Sequence, residues 1–480
     1  MSDAMCKREV VIIGAGVAGI AAFVSAVRSR CASSIDIVDT RGIGNGVAFA
    51  TTEPQLLCNT SVETMSLVDD DPNDFMHYLH GQAIDVSPDA FVPRFHVSRY
   101  LANCYADYRM LARDAGVRHR YVMASARTIE KQPTGRYRVL LDDDTFLDAS
   151  DVLVCTGSGA PFLPDALRPH VGAPAFFGCL YPEQRVLESL TMPSRVLVVG
   201  SRLSAVDAAL LACGAGHSVV MASPSGRLPA VRTATPRECP VAIDDAAFAR
   251  LDLSSPLLYR RLLRLVARSA EAVAGRPLRE QIDRSINAAA RLAQEAALAR
   301  HGATDWQNVL VRYMDLGEQL LCRGTPEART RALENCATAV GRYLFAMPLG
   351  TAEKLLGFMN NGRLQVLAAV PRRLRREGLW SVQWSNGAFD RFDAVICATG
   401  FNKQRFHATH SSLALMPDSR FPLAAPHVSP DLRVWLPEAG EPERIWTAGI
   451  ASYLAAPMVN AVYQSVRQAN QITAAWGSGQ

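Results

Sequence analysis

Three glycines, Gly14, Gly16 and Gly19, stand at the spacing Gly-x-Gly-x-x-Gly directly after the apolar run VVII. That spacing lets a chain turn sharply, brings bare backbone N–H groups against an anion, and packs the next helix closely on the strand before it. An acid, Asp39, follows twenty positions after Gly19, where a carboxylate accepts a ribose hydroxyl and repels a 2′-phosphate. The chemistry that fits is capture of the pyrophosphate of an unphosphorylated dinucleotide, FAD or NAD. A second loop, Gly200-Ser201-Arg202-Leu203-Ser204-Ala205, keeps the first glycine and ends on a small residue, but has Arg202 where the second glycine is expected. No acid closes the apolar run that follows. Ser223 and Arg227 stand there instead, a hydroxyl and a cation suited to a 2′-phosphate. Arg227 also reads equally well as a solvated loop residue.

Each loop needs a strand before it and a helix after it. Val10 to Ile13 predicts the first strand, Val17 to Ser29 the helix, and Ile35 to Val38 the second strand. The second loop repeats the pattern, with a strand from Arg195, a helix over Ser204 to Ala212, and the strand HSVVMAS ending at Ser223. Both halves then close alike, with alternating strands and a buried run ending in Thr156-Gly157 or Thr399-Gly400. This is an internal duplication. One half lacks the phosphate selector and the other has it, so the pattern implies FAD plus NADPH. The expected fold is α/β, with two Rossmann-like dinucleotide-binding domains, β-meanders and an all-helical insert. Its expected division is an FAD domain over 1–193, an NAD(P)H domain over 194–242 and 357–400, a helical insert over 243–356, and a return to the FAD domain over 401–480.

In the insert, Leu258, Leu262, Leu265 and Val266 share one helical face, while Arg260, Arg264 and Arg268 share another. A packing or dimer-forming block, a lid whose arginines attract an anionic substrate or NADPH, and a basic membrane-surface helix all fit that pattern. Trp306, Arg312 and Tyr313 are candidates to line a pocket, and Trp306 reads equally as core.

Composition narrows the rest. At 480 residues the chain is too long for one core, and a net charge of +4 argues for no nucleic-acid partner. The eleven cysteines are scattered, without Cys-x-x-Cys or zinc spacing, so no metal is expected and a reducing compartment, the cytoplasm, is. Lys7 and Arg8 before an apolar run mimic a secretory signal, but the three glycines inside that run point elsewhere. No other segment approaches the roughly 18–20 unbroken apolar residues of a membrane span.

These motifs resemble the flavoproteins with two dinucleotide domains, and within them the class B flavin monooxygenases and amino-acid N-hydroxylases. The resemblance rests on Ala398-Thr399-Gly400-Phe401-Asn402 at the end of a buried strand. A family known as FAD/NAD(P)-binding proteins is similar through Gly44-x-Gly46-Val-Ala-Phe49-Ala-Thr51, LLCNTSVETMSLVDDDPNDF and Pro93-Arg94 to Tyr100-Leu101. Further similar blocks begin at Asp305-Trp306 and Gly362. The resemblance implies that Asn59, Met65 and Ser66 lie near the flavin, and that the Thr156-Gly157 and Thr399-Gly400 ends contact cofactor. It implies that the segment containing Gly449 covers the flavin. Arg94 and Arg99 are candidates to bind a substrate carboxylate, and Trp306 of the insert is the third substrate candidate. Structural roles (a turn Asn, a core Met, surface arginines) fit these positions equally.

The expected activity is a monooxygenase. NADPH reduces FAD, and a C4a-peroxyflavin formed with O₂ oxygenates the nitrogen of an amine or amino-acid-derived small molecule. A desolvated pocket would keep that amine neutral, and no side-chain acid or base is required, so the catalytic residues stay open. A flavin-dependent NAD(P)H reductase with another acceptor is the alternative, and a non-catalytic FAD-binding protein the third. A homo-oligomer is an outcome that the insert allows.

Overall fold

A computed structural model describes residues 8–478, apart from 235–240, 242, 283–286, 416–424, 457, 458 and 460. Two parallel five-stranded sheets dominate it. The first runs in the order Ile445–Thr447, Asp151–Val154, Arg8–Ile13, Ala32–Val38, Arg118–Val122. The second runs Leu364–Ala368, Ser218–Ser223, Arg195–Val199, Ala394–Cys397, Phe176–Phe177. Their central strands are continuous apolar runs because helices or meanders cover both faces. Val10, Val11, Ile12, Val196, Leu197 and Val198 are all at most 2% exposed. Burial of each such side chain contributes about 1.5–3 kcal/mol.

The two units match at the level of single hydrogen bonds. Gly14 N–H donates to Val38 O and Gly200 N–H to Ala222 O, each at 2.8 Å. Cys155 N–H donates to Ile13 O at 2.7 Å and Ala398 N–H to Val199 O at 2.8 Å. Antiparallel meanders follow in both halves. One is Pro371–Glu377, Leu379–Trp384 and Phe389–Phe392; the other is Ala126–Lys131, Tyr137–Leu141 and Phe146–Ala149. The latter is widened to five strands by Ser412–Leu415 and Phe406–Ala408, which arrive from far along the chain. The Val462–Gly477 helix returns to pack against Val17–Ser29, so the C-terminal segment completes the first unit.

Helices make up most of the stretch between. The Leu258–Ala274 helix buries Leu258, Leu265 and Val266 and leaves Arg260, Arg264 and Arg268 exposed, a solvated basic face. The stretch that follows holds the helices Leu278–Gln281 and Ala288–Arg300, with 283–286 outside the described residues. The helical block is not self-contained. Leu292 and Ala299 join the core of the second dinucleotide unit. At its neck, Val231–Arg232 pairs in parallel with Met347–Pro348.

Candidate functional site

The Val17–Ser29 helix begins at Gly16 with no side-chain cap and no acid in its first turn. Its free N–H groups and dipole therefore face an anion site without an internal competitor. Gly14 has φ +110°, and a Cβ there would lie 2.4 Å from Cys155 O. A Cβ on Gly19 would lie 1.9 Å from Gly14 O, whereas one on Gly16 would meet open space. Gly14 and Gly19 are thus demanded by the fold itself, and Gly16 by what must occupy that space. Asp39 accepts from Ala15 N at 2.7 Å and Arg41 N at 2.6 Å, which fixes its carboxylate beside the loop. Two hydroxyl oxygens of the same unit, Thr156 Oγ1 and Ser61 Oγ, are buried with no partner. An open cradle, an uncapped helix and orphaned hydroxyls fit a dinucleotide such as FAD. Gly449, at φ +63°, would place a Cβ 2.8 Å from Ala18 Cβ, so the C-terminal loop lies directly against the start of this helix.

Other positions near the first loop have internal partners. Ser66 donates its hydroxyl to Val68 O at 2.8 Å and Asp71 O at 2.6 Å. Met65 is 2% exposed in the core. Asn59 offers its backbone carbonyl to Arg232 Nη1 at 3.4 Å. The two Thr-Gly ends have matching backbones, with Gly157 at φ +72° and Gly400 at φ +91°. They are knitted together: Thr399 donates its hydroxyl to Phe162 O at 2.5 Å, and Phe162 N–H donates to Gly400 O at 2.9 Å. Cys155 is buried in the core of the first unit, and burial pushes its thiol pKa up.

In the second unit the Leu203–Gly214 helix is likewise uncapped at Arg202 and has no acid in its first turn. Gly200 repeats the first unit's constraint, with φ +131° and a Cβ that would lie 2.3 Å from Ala398 O. Ala205 is fully buried at the third-glycine position, and Ser204 sits in the helix's first turn. Ser201 and Ser223 share a hydroxyl hydrogen bond at 2.8 Å, which occupies the place of the Asp39 contact. Arg202 lies against Gly341, where an added Cβ would be 3.2 Å from its Cζ, and its buried Nη1 has no partner. Burial, and then Arg342, pull its pKa below the usual value. Arg291 feels burial first, then Arg342 and the exposed Arg227. Arg202, Arg227, Arg291 and Arg342 thus surround this loop, and the acid facing Arg342 among the described residues is Glu295. Arg291 and Arg342 come from helical segments far along the chain, so no local motif could have pointed to them.

The three substrate candidates have different surroundings. Arg94 already holds a carboxylate: Asp207, at 2.5 and 3.1 Å, with both side chains almost fully buried. Its Nε donates to Leu57 O at 2.9 Å, and the Tyr181 hydroxyl donates to the same Asp207. Arg99 is exposed and lies over the Phe95 ring at 4.7 Å. Trp306 is 5% exposed in the core of the helical block, edge-on to Tyr343. Tyr313 is in that core too, sharing a hydrogen bond with Ser269 at 3.0 Å, and Arg312 faces Asp245 at 4.0 Å.

Residues 11–159 match the family described as FAD-NAD(P)-binding. No curated protein matches the chain by sequence. Among solved structures the chain is similar to ornithine hydroxylase from Pseudomonas aeruginosa, at 15% identity and TM-score 0.59, over 98% of this chain and 99% of that one. L-lysine 6-monooxygenase from Pseudomonas syringae is similar at 15% identity and TM-score 0.60 with the same coverage. Cyclohexanone monooxygenase is similar at 13% identity and TM-score 0.55, over 98% of this chain and 88% of that one. Among the described residues no helix is long and apolar enough to cross a membrane. The first dinucleotide unit thus matches an FAD-NAD(P)-binding family model over residues 11–159, and the chain as a whole shares the fold of flavoproteins with two dinucleotide-binding domains.

Proposed function

We propose that this chain is a flavin monooxygenase that holds FAD at the Gly14 loop and NADPH at the Gly200 loop, and adds oxygen to the nitrogen of an amine or amino-acid-derived substrate. The carrying observation is the pair of uncapped loops with opposite selectors, Asp39 beside one and an arginine cluster beside the other. The similarity in fold to ornithine hydroxylase and L-lysine 6-monooxygenase supports the reading. When bound, FAD supplies the redox and oxygen chemistry, and NADPH supplies two electrons as hydride.

The chain's own residues bind, orient and exclude water. Gly16 and the helix start would receive one pyrophosphate, and Asp39 would take the adenosine ribose hydroxyls. Arg202, with an unused Nη1, would hold the second pyrophosphate, Ser223 and Arg227 would bind the 2′-phosphate, and Arg291 and Arg342 would add positive potential. The seam knitted by Thr399, Phe162 and Gly400 keeps the two units in register. The balanced reaction consumes one O₂, one NADPH and one proton, placing one oxygen on the substrate nitrogen and the other in water.

The test is to purify the protein with its flavin and follow NADPH and NADH oxidation, oxygen uptake and product over a panel of amines and amino acids. Hydroxylated product in step with NADPH is expected. Flavin reduction by NADPH with no oxygenated product from any member would overturn the monooxygenase reading.

A further inference from the structure

Five arginines are buried among the described residues, and four have a carboxylate close by. Arg8 pairs with Asp151, Arg94 with Asp207 and Arg342 with Glu295, and Arg291 also feels Glu295. Arg232 is different. It is 8% exposed, and among the described residues its guanidinium donates to two carbonyl oxygens, Asn59 O at 3.4 Å and Leu344 O at 2.5 Å, and to no carboxylate. A buried cation answered by neutral dipoles alone is costly, and chains retain few of them without a counterion.

Its position is as informative as its charge. The Asn59 loop belongs to the first dinucleotide unit, and Arg232 lies on the strand that leaves the second. Leu344 ends the π-helical turn Val340–Leu344, which Arg202 touches at Gly341. The Val462–Gly477 helix adds Tyr463, whose hydroxyl faces both Arg232 and Asp315. Asp315 is already engaged, by the Tyr463 hydroxyl at 3.2 Å and by Arg467 at 3.7 Å, so it leaves Arg232 unneutralised. Two units exchanging a hydride must face each other, and Arg232 stands where their segments meet. Burial also pushes its pKa down to about 10, as expected of a cation held without a counterion.

We propose that Arg232 is the anchor for a carboxylate on the substrate, so that this chain selects amino acids or other amino carboxylates over simple amines. The inference rests on the monooxygenase reading for the meaning of "substrate", but not for the binding itself. A guanidinium presents a planar fork that a carboxylate meets with two charge-assisted bonds. That geometry is unused here because carbonyls occupy only part of the fork. Arg232 thereby takes a role for which Arg94 was a candidate, since Asp207 fills the Arg94 fork.

The experiment uses the flavin-loaded protein and measures binding of the common L-amino acids and L-ornithine, each against the amine lacking its carboxylate, as L-ornithine against putrescine. Wild type is expected to bind at least one acid more tightly than its amine. Arg232→Met lowers that acid-to-amine ratio about 10- to 100-fold, the worth of a charge-assisted pair, and Arg232→Lys restores part of it. Flavin content and the dissociation constant for NADPH stay as in wild type. A merely structural arginine would weaken acid and amine together and leave the ratio unchanged, which overturns the proposal. So does a wild-type protein that prefers no acid to its amine, or an Arg232→Met variant whose loss falls on NADPH alone. If Arg232→Met does not fold, the ratio in Arg232→Lys decides by the same criteria. Acid-selective binding without oxygenated product keeps the anchor and overturns the monooxygenase; oxygenation of simple amines at equal efficiency does the reverse.

Discussion

Replacing Asp207 by Asn tests how the two dinucleotide units are joined. Asp207 lies on the Leu203–Gly214 helix of the second unit, and Arg94 follows the Leu57 segment of the first. Their side chains are 5% and 8% exposed, so water can solvate neither charge if the other is removed. Asp207→Asn keeps the volume and an acceptor for Tyr181 but deletes the counter-charge. The expected cost is that of leaving a buried guanidinium unpaired, about 3–5 kcal/mol. Equilibrium unfolding in urea, followed by far-ultraviolet circular dichroism and by aromatic fluorescence, measures it. The midpoint should fall, and the two probes should separate if the units begin to unfold independently. The double variant Arg94→Met/Asp207→Leu removes both charges and should recover to within about 1 kcal/mol of wild type, or exceed it. It should also bind the same amines and amino acids as wild type. A single-variant cost under about 1 kcal/mol would refute the claim that this pair is desolvated. A folded double variant that no longer binds substrate would return Arg94 to the substrate site.

Further outcomes follow from individual positions. Gly16→Val should leave the melting temperature of flavin-free protein within a few degrees of wild type while abolishing flavin retention, because its side chain enters open space; equal loss of the fold would show that Gly16 is structural. Gly14→Val should fail to accumulate as folded protein, since its Cβ meets a backbone carbonyl at 2.4 Å and φ is +110°; soluble, flavin-loaded variant would contradict this. Arg202→Gln should raise the NADPH dissociation constant about tenfold, the loss of one charge-assisted bond, in a fluorescence titration; tighter binding would make Arg202 an obstruction. Arg227→Ala with Ser223→Asp should shift preference from NADPH toward NADH in flavin-reduction kinetics, because a carboxylate then repels the 2′-phosphate; an unchanged ratio would remove both residues from cofactor selection.

Local sequence determined the parts that local physics governs. The Gly-x-Gly-x-x-Gly spacing, continuous apolar strands and Thr-Gly endings announced two equivalent units because each feature lies within one turn or one strand. Predicted helix bounds Val17 to Ser29 match the Val17–Ser29 helix, and the second helix differs by one or two residues at each end. Asp39 lies twenty positions from Gly19 yet touches Ala15, because adjacent parallel strands bring those ends together.

Only the tertiary structure decided which charges were free. Arg94 and Arg99 looked equivalent on one short stretch, but Arg94 meets Asp207 from 113 residues away and Arg99 meets solvent. Arg232 carried no motif, and its significance is that no carboxylate among the described residues meets its buried guanidinium. Arg291 and Arg342 reach the second loop only because the helical block folds back on it. A spacing can announce a backbone loop, since the loop's atoms are neighbours in the chain. Neutralisation of a charge depends on everything packed around it, and that is a property of the folded molecule alone.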